Sequence, residues 1–271
     1  MLPQSTFEED VEACQKLGFG LGISEAKLGE GRDDALRALM QASGVRAAVS
    51  VPAVIGPLKD AWRGGPDDPA ERVARVCDGI DRLAAFDPAS ILIVTGAKAL
   101  YPVFEARRIV VEGLAQIADV AGAHGLTVGV EVLRDETNGA LYNDLPRMFE
   151  LLDDAGPDNL AVVFDVWHLW DAPGVLEQLA AYAPRISAVQ LCDWRSETRW
   201  SGDRALPGDG IADIPAILRA LETNGFTGVY DLEVFSDLSK PGSIWEHDGL
   251  DEVLTKSWDG FARAWEEADL S

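Results

Sequence analysis

Short, continuously apolar segments alternate along the chain with longer segments of helical periodicity. The apolar segments are rich in β-branched residues and cover residues 19–24, 45–54, 90–96, 126–133, 159–167, 186–194 and 227–235. Strands of a parallel sheet have this character because helices cover both of their faces, so that neither face needs to be polar. The alternation therefore predicts repeated βα units around a parallel sheet.

The helical segments end in a way that supports this prediction. Gly18, Gly44, Gly125 and Gly225 each stand shortly before the next apolar segment, where a left-handed residue can close a helix. A chain of 271 residues has about the length of one α/β barrel. We therefore predict a (β/α)8 TIM barrel that forms a single domain over residues 1–271. The competing architecture, an open doubly wound sheet, normally carries a glycine-rich phosphate turn after its first strand, and the sequence has none.

The beginning of the chain is unusual for a barrel. Seven strands can be read from the sequence, and only residues 1–4 precede the first helical segment. Because a closed barrel of this kind needs eight strands, we expect the first strand to be short or partly missing.

Composition limits the classes of partner. Acidic residues outnumber basic residues 46 to 23, so the field of the protein would repel a nucleic-acid backbone. The sequence has no apolar stretch long enough to cross a bilayer and no signal-like start. Its three cysteines form no C-x-x-C pair, which fits a reducing compartment. We expect a cytoplasmic protein with neither nucleic acid nor membrane as a partner, and leave open whether it forms a homo-oligomer.

Polar side chains interrupt four late strands near their carboxyl ends. These residues are Glu131, Asp165, Gln190 and Glu233, and each is flanked by apolar residues. A buried carboxylate is costly unless a cation compensates its charge, and the active site of a barrel lies at this end of the strands. Oxygen donors suit Mg²⁺ or Mn²⁺. The sequence thus predicts one divalent metal site, and the alternative is that Arg or Lys side chains pair with these acids.

The order of these residues resembles the metal site of the xylose-isomerase-like family of sugar isomerases and epimerases. The resemblance spans nearly the whole chain and is strongest over residues 126–235. It implies a TIM barrel whose metal is held by Glu131, Asp165, Gln190 and Glu233. Gln190 stands where epimerases usually carry His, and hydroxypyruvate isomerases are similar in having Gln there.

His168 follows Asp165 by three residues, and the family carries the same D-x-x-H pattern with its histidine near the substrate. The resemblance implies that His168 orients substrate oxygens or assists proton movement. A histidine that is only a satisfied core group is the alternative.

The segment after residue 194 is similar to the family's R-x-x-P-G-x-G stretch, in which Arg204 precedes Pro207. An arginine there can grip a carboxylate or phosphate through two parallel hydrogen bonds, so we expect Arg204 to bind an anionic group of the substrate. Arg195 is a second candidate. The alternative for Arg204 is an ion pair with Asp203 or Asp209.

Three further residues are candidate substrate contacts. Trp167 and Trp194 could present flat apolar faces to the C–H side of a sugar, although large aromatic residues at strand ends are often core residues. Lys27 closes the first readable strand and could approach the site, as a similarly placed Lys does in some relatives. The alternative is a solvated loop lysine.

The predicted chemistry is proton transfer on a small carbohydrate-like carbonyl compound. A metal ion that binds a carbonyl and its neighbouring hydroxyl favours an enediolate, and Glu131 and Glu233 could move the proton on either side of it. Return of the proton to the adjacent carbon makes an isomerase, and return to the opposite face makes an epimerase. Loss of a β-hydroxyl makes a dehydratase of a keto-polyol such as an inosose. A non-catalytic sugar-binding protein is the remaining alternative.

Overall fold

Seven parallel strands form the centre of the computed structural model, which describes residues 5–60, 62–97, 101–134, 139–200, 202–235, 239–240, 242–244 and 249–270. The strands are β1 (Leu21–Ser24), β2 (Ala47–Val51), β3 (Ser90–Ile93), β4 (Val128–Glu131), β5 (Leu160–Asp165), β6 (Ile186–Leu191) and β9 (Val229–Leu232). They lie in one sheet in chain order, each parallel to its neighbour.

Helices alternate with these strands. They are α1 (Phe7–Leu17), α2 (Glu25–Leu28), α3 (Asp33–Ser43), α4 (Pro69–Ala84), α5 (Val103–Ala123), α6 (Leu145–Ala155), α7 (Val166–Leu169), α8 (Val175–Tyr182), α9 (Ile214–Glu222) and α10 (Leu250–Glu267), with a 3₁₀ helix at Ala183–Arg185. No helix of the described residues is long and apolar enough to span a membrane.

The sheet curves into a nearly closed barrel, as the sequence predicts. Its two end strands approach each other closely, since a Cβ atom on Gly22 of β1 would lie 3.6 Å from the Asp231 carboxylate of β9. The short first strand that we expected would fall on residues 1–4, outside the described residues. The (β/α)8 architecture is otherwise confirmed by the strand order and the alternation of helices.

The predicted helix ends are confirmed at Gly18 and Gly44. Both have left-handed backbone angles, with φ of 75° and 73°, and follow α1 and α3 directly. These angles suit glycine because it has no Cβ to clash with the preceding turn. The chain can therefore turn sharply from each helix into the next strand.

Two apolar layers hold the barrel together. A large cluster packs the outer strand faces against the helices, and a smaller one fills the barrel interior with Val49, Leu92, Val163 and Ala188. Because successive strand residues alternate between the two sides, residues two positions beyond this interior layer also point inward. Asp165 and Gln190 stand in those positions on β5 and β6, and they are register partners.

A short antiparallel ribbon, which the sequence did not predict, closes over one side of the barrel mouth. It consists of β7 (Asp193–Trp194) and β8 (Arg204–Ala205), and it pairs Trp194 with Arg204. The buried Asp193 carboxylate accepts hydrogen bonds from the backbone N–H groups of Gly208, Gly210 and Ala212. These bonds fix the loop that follows β8 and thereby the position of Arg204.

Candidate active site

Four oxygen-bearing side chains meet at the carboxyl ends of β4, β5, β6 and β9. Glu131, Asp165 and Gln190 are buried, with 7%, 0% and 2% of their surface exposed. Glu233 follows β9, and its backbone N–H bonds to Leu191 of β6, which extends the sheet to the mouth. Its side chain is 27% exposed. The carboxyl ends of the strands therefore bring together the four residues that the sequence singled out.

Arg204 lies between two of these carboxylates. Its Nη1 donates to Asp165 Oδ1 at 2.9 Å and its Nη2 donates to Asp165 Oδ2 at 2.7 Å. The same Nη2 is 2.8 Å from Glu233 Oε2. Arg204 is buried and so does not form the alternative ion pair with Asp203, which binds Arg199 instead. The guanidinium is thus paired with the acids of the site itself, as in the alternative to a metal that the sequence left open, and the binding of a substrate anion by Arg204 stays a prediction.

Glu131 and Gln190 lack comparable partners. Within the described part of the chain Glu131 accepts no hydrogen bond, and its recorded ion-pair contact is with His168 Nε2 at 3.7 Å. The buried Gln190 Oε1 also has no hydrogen-bond partner. An unpaired buried oxygen is costly, so Gln190 Oε1 and the neighbouring Glu131 carboxylate are candidate ligand atoms.

His168 is held in one tautomer by the backbone. The N–H of Arg134 donates to His168 Nδ1 at 3.1 Å, so the ring proton of the neutral imidazole lies on Nε2. Nε2 faces Asp165 Oδ2 at 3.6 Å and Glu131 Oε1 at 3.7 Å. Burial lowers the pKa of His168 to about 4. His168 is therefore a neutral hydrogen-bond donor toward the site at neutral pH.

The pKa values of the acids differ according to their partners. Burial raises the pKa of Glu131 well above its ordinary value, and repulsion from Glu233 and Asp165 adds to this effect. Burial also raises the pKa of Glu233, to about 8, although Arg204 acts in the opposite direction. Burial opposes ionisation of Asp165 as well, but Arg204 outweighs it and lowers the pKa. Asp165 is thus the permanently ionised member of the three.

The donor set fits one hard divalent cation. Three carboxylates and one guanidinium leave two negative charges unmatched when all the acids are ionised. Asp165 Oδ2 keeps a free lone pair beside its bond to Arg204, and Gln190 offers a neutral oxygen. Ligand atoms of Glu131, Asp165 and His168 lie within 4.8 Å of one another, but the proton on His168 Nε2 leaves that nitrogen no lone pair for a metal. The oxygen donors are therefore the candidate ligands.

Aromatic rings form one wall of the site. The Trp167 ring lies 5.0 Å from that of Trp194 and stands edge-on to His168 at 4.9 Å. The guanidinium of Arg204 lies 5.5 Å from the Trp167 ring, and that of Arg134 lies 4.6 Å from the Trp194 ring. Trp167 is buried whereas Trp194 is partly exposed. Both tryptophans therefore border the acidic residues, and Trp194 has surface left for a ligand.

The other two candidates have partners away from the acids. Lys27 pairs with Asp10 and donates to Ser5 Oγ at 3.0 Å, which ties it to α1 and the residues before it. Arg195 lies beside the ribbon, with its Nη2 3.5 Å from the backbone oxygen of Arg204 and its Nε 3.4 Å from Asp203. Arg195 thus supports the loop that carries Arg204.

Three residues near the acids escaped the sequence analysis. Cys192 accepts a hydrogen bond from Arg204 Nη1 on its sulfur at 3.0 Å. Asp231 is the register partner of Gln190, and burial raises its pKa to about 6. Arg63, in the loop after β2, feels the charges of Glu233 and Glu131. Alternation could have revealed Asp231, which is two residues before Glu233 on the same strand face, whereas no sequence pattern marks Arg63.

Comparison with known proteins gives the family of the chain. The chain matches the xylose isomerase-like TIM barrel family over residues 7–254. It is 26% identical to an inosose isomerase of Bacillus velezensis over 150 residues, which are 54% of this chain and 52% of that protein. It is 28% identical to a 3-dehydroshikimate dehydratase of Pseudomonas aeruginosa over 154 residues, 54% of this chain and 24% of that protein.

These matches cover about half or less of each relative's own length. A solved structure of the IolI protein, described with a bound zinc atom, superposes with a TM-score of 0.79 at 18% identity and covers 97% of this chain and 94% of that one. This likeness shows the fold alone. Together with the family match, it shows that the chain belongs to the xylose isomerase-like TIM barrel family.

Proposed function

We propose that this protein is a divalent-metal-dependent enzyme that removes a proton from the carbon beside a carbonyl in a small keto sugar, sugar phosphate or hydroxy-keto acid. The observation that carries the proposal is the buried, unpartnered Gln190 Oε1 beside the buried carboxylates of Glu131 and Asp165 at the barrel mouth. A folded protein tolerates such groups where a ligand completes them.

The metal would be held by Glu131, Asp165, Gln190 and Glu233. When bound, a divalent ion would stabilise the negative charge that develops on the substrate oxygen. An all-oxygen donor set favours Mg²⁺ or Mn²⁺. Because the IolI protein was solved with zinc, a test of the metal must include Zn²⁺ as well.

The protein's own side chains have distinct roles in this proposal. Glu131 and Glu233 project from the first and last of the four strands that carry the acids, so they flank the place of the substrate and can exchange a proton with its carbon. Arg204 keeps Asp165 ionised through two hydrogen bonds. His168 donates its Nε2 proton in a hydrogen bond to a substrate oxygen rather than acting as the base.

The fate of the proton decides the reaction. One glutamate takes it from carbon, and the other can return a proton to the neighbouring carbon or to the opposite face of the same carbon. The first course is an isomerisation and the second an epimerisation. The placement of Glu131 and Glu233 on β4 and just after β9 supports such exchange because two carboxylates can then reach the substrate from different sides.

Dehydration is the second candidate. The similarity to a 3-dehydroshikimate dehydratase favours it, and the first proton abstraction would be the same. The reaction would then end with a β-hydroxyl leaving as water after it gains a proton. A keto-polyol such as an inosose is the corresponding substrate class.

A substrate panel separates these reactions. The protein is stripped with a chelator, reloaded with Mg²⁺, Mn²⁺ or Zn²⁺, and incubated in deuterated water with ketoses, ketose phosphates, hydroxypyruvate and inososes. Proton NMR would show deuterium at the exchanged carbon for an isomerase or epimerase, and a new enone or dione would show a dehydratase. If no substrate in the panel exchanges or changes with any metal, the enzymatic proposal fails in favour of a sugar-binding protein.

A further inference from the structure

The loop between β2 and α4 is built as a rigid platform beside the acidic centre. Its backbone bonds to the segment that follows β3, with Val94 N donating to Ile55 O at 2.7 Å and Leu58 N donating to Thr95 O at 3.2 Å. A Cβ on Gly56 would come within 2.0 Å of Val94 O, so the two segments touch through their backbones. Such close packing leaves the loop little room to move.

A buried ion pair fixes the next part of this loop. Asp60 and Arg72 have fully buried side chains and lie 3.0 Å apart. Arg72 also donates to the backbone oxygens of Gly56 at 3.0 Å and Pro66 at 3.2 Å. Asp60 Oδ1 accepts the backbone N–H groups of the next two described residues, Trp62 at 2.9 Å and Arg63 at 2.6 Å. The network therefore sets the direction in which these two side chains leave the loop.

Trp62 and Arg63 lie on the side of the platform nearest the acids. A Cβ on Gly139 would come within 2.1 Å of the Trp62 ring and 2.7 Å of Leu133, so Trp62 packs on the segment that follows Glu131. Arg63 Nη1 donates to Pro52 O, next to the end of β2, at 3.0 Å. Asp60 attracts the Arg63 charge most strongly of the carboxylates, followed by Glu233 and Glu131. Arg63 thus faces the same mouth as the metal ligands.

Among the described residues Arg63 forms no ion pair, although Asp60, which is bound to Arg72, attracts its charge. Asp60 is paired with Arg72, and Arg204 is paired with Asp165 and Glu233. Within the described residues Arg63 makes no ion pair, and its one side-chain hydrogen bond is to a neutral carbonyl. Asp231, the register partner of Gln190, forms no ion pair with Arg63 in the described part of the chain. The Arg63 guanidinium can therefore accept a carboxylate from a ligand.

We infer that Arg63 binds a carboxylate carried by the substrate, with the half-exposed Trp62 covering the adjacent carbon chain. This inference rests on the proposed function and narrows its substrate to a polyhydroxylated keto acid. A guanidinium that keeps one edge free matches a planar carboxylate through two parallel hydrogen bonds. A single unpaired arginine also matches one negative charge better than the two of a phosphate monoester.

Ligands that differ at one carbon test this directly. D-fructose, 2-keto-D-gluconate and D-fructose 1-phosphate share carbons 2 to 6 and carry a hydroxymethyl, a carboxylate and a phosphate at carbon 1. Dissociation constants are measured by titration calorimetry on the full-length protein loaded with Mn²⁺. We expect the keto acid to bind at least about tenfold more tightly than the neutral ketose, the size of one charge-assisted contact.

Two variants assign the preference to Arg63. Arg63→Gln should bring the keto acid to the affinity of the neutral ketose and leave the ketose unchanged. Arg75→Gln removes the same charge from an exposed position on α4 and should leave the preference intact, because its effect acts only over long range. Melting temperature and manganese content of both variants should equal those of the wild type, which shows that the fold and the metal site are preserved.

Several results would overturn the inference. They are an equal affinity of the wild type for the keto acid and the ketose, a stronger preference for the phosphate, an unchanged preference in Arg63→Gln, or an equal loss in Arg75→Gln. Manganese binding is read separately on the same samples. If manganese binds and the keto-acid preference is absent, the Arg63 inference alone fails. If none of Mn²⁺, Mg²⁺ and Zn²⁺ binds, the proposed metal-dependent function fails whatever the ligand affinities are.

Discussion

Asp165 and Arg204 form a buried ion pair with two parallel hydrogen bonds at the mouth of the barrel. Asp165 ends β5 and Arg204 begins the second strand of the antiparallel ribbon. The pair therefore joins the barrel to the loop above it. It also keeps one carboxylate ionised in a site where burial raises the pKa of the other two.

Removal of the guanidinium should destabilise the metal-free protein. Arg204→Gln leaves Asp165 buried without its cation, and breaking such pairs costs about 3–5 kcal/mol. We expect a fall of that order in the free energy of unfolding in urea. Added Mn²⁺ should recover more of the loss than it adds to the wild type, because the ion can take over the charge.

Arg199→Gln is the matched control for this experiment. It alters a pair with Asp203 in the same loop, but the Arg199 side chain is 38% exposed. Solvent screens such pairs, so the change should be within about 1 kcal/mol. Equal stability of Arg204→Gln and wild type would show that the buried pair contributes nothing.

Substitution should separate the metal-binding role of Glu131 and Glu233 from their role as proton acceptors. Glu131→Gln and Glu233→Gln keep an oxygen donor but cannot accept the proton. Each should retain part of its metal affinity and lose turnover by at least about 10²-fold, the effect of removing a general base. Solvent-deuterium exchange into the substrate, followed by NMR, measures the step. If either variant exchanges deuterium at the wild-type rate, that glutamate is only a ligand.

Stability of the metal-free protein should depend on pH in a defined direction. The pKa of Glu233 is raised to about 8 from an ordinary 4.5, and that of Glu131 is also raised. A raised pKa means that the folded state holds its proton more tightly, so the stabilisation is complete below about pH 4.5 and is lost as pH rises through about 8. The contribution of Glu131 and Glu233 to the melting temperature should therefore decrease as the pH rises from about 4.5 to about 8.

Glu131 and Glu233 should also make the stabilisation by a bound metal ion increase with pH. A cation binds ionised carboxylates. It must therefore displace protons from these groups at low pH, whereas at high pH they are already ionised. The rise in melting temperature on adding Mn²⁺ should increase from pH 5 to pH 8. Glu131→Gln should flatten this dependence. A metal effect that is constant across the range would contradict the pKa directions given for these two acids.

His168 should be a neutral donor throughout the working pH range. Burial lowers its pKa to about 4, and the Arg134 N–H occupies Nδ1. Nitrogen-15 NMR of the histidines should show an unprotonated Nδ1 and a protonated Nε2 at pH 6. The exposed His124, which contacts Asp81, serves as the internal comparison. A protonated Nδ1 at His168 would restore it as a candidate base or metal ligand.

The sequence could place the four candidate ligands near the ends of strands because each interrupts an apolar segment. Asp165 and Gln190 could be placed at one level since both stand near the ends of neighbouring parallel strands, and their register pairing confirms the placement. The barrel itself followed from the alternation of strands and helices.

Loop contacts could not be read in this way. No hydrophobic periodicity in the sequence predicts that Arg63 lies near Glu131. The loop after β2 is fixed instead by the Asp60–Arg72 pair and by backbone contact with the segment after β3. The partner of Arg204 was also hidden, since an arginine beside two aspartates in the chain gives no sign that it reaches β5. Long-range side-chain pairing has no signature in a single sequence.

The central claim is that one divalent ion is held by oxygen donors from four strands. Anomalous diffraction from a crystal of the full-length protein grown with Mn²⁺ tests it without knowledge of the substrate. We predict a single peak at the mouth, with oxygens of Glu131, Asp165, Gln190 and Glu233 at about 2.0–2.4 Å. A map without a peak there, or a peak bound by His168 Nε2 in place of these oxygens, would contradict the account.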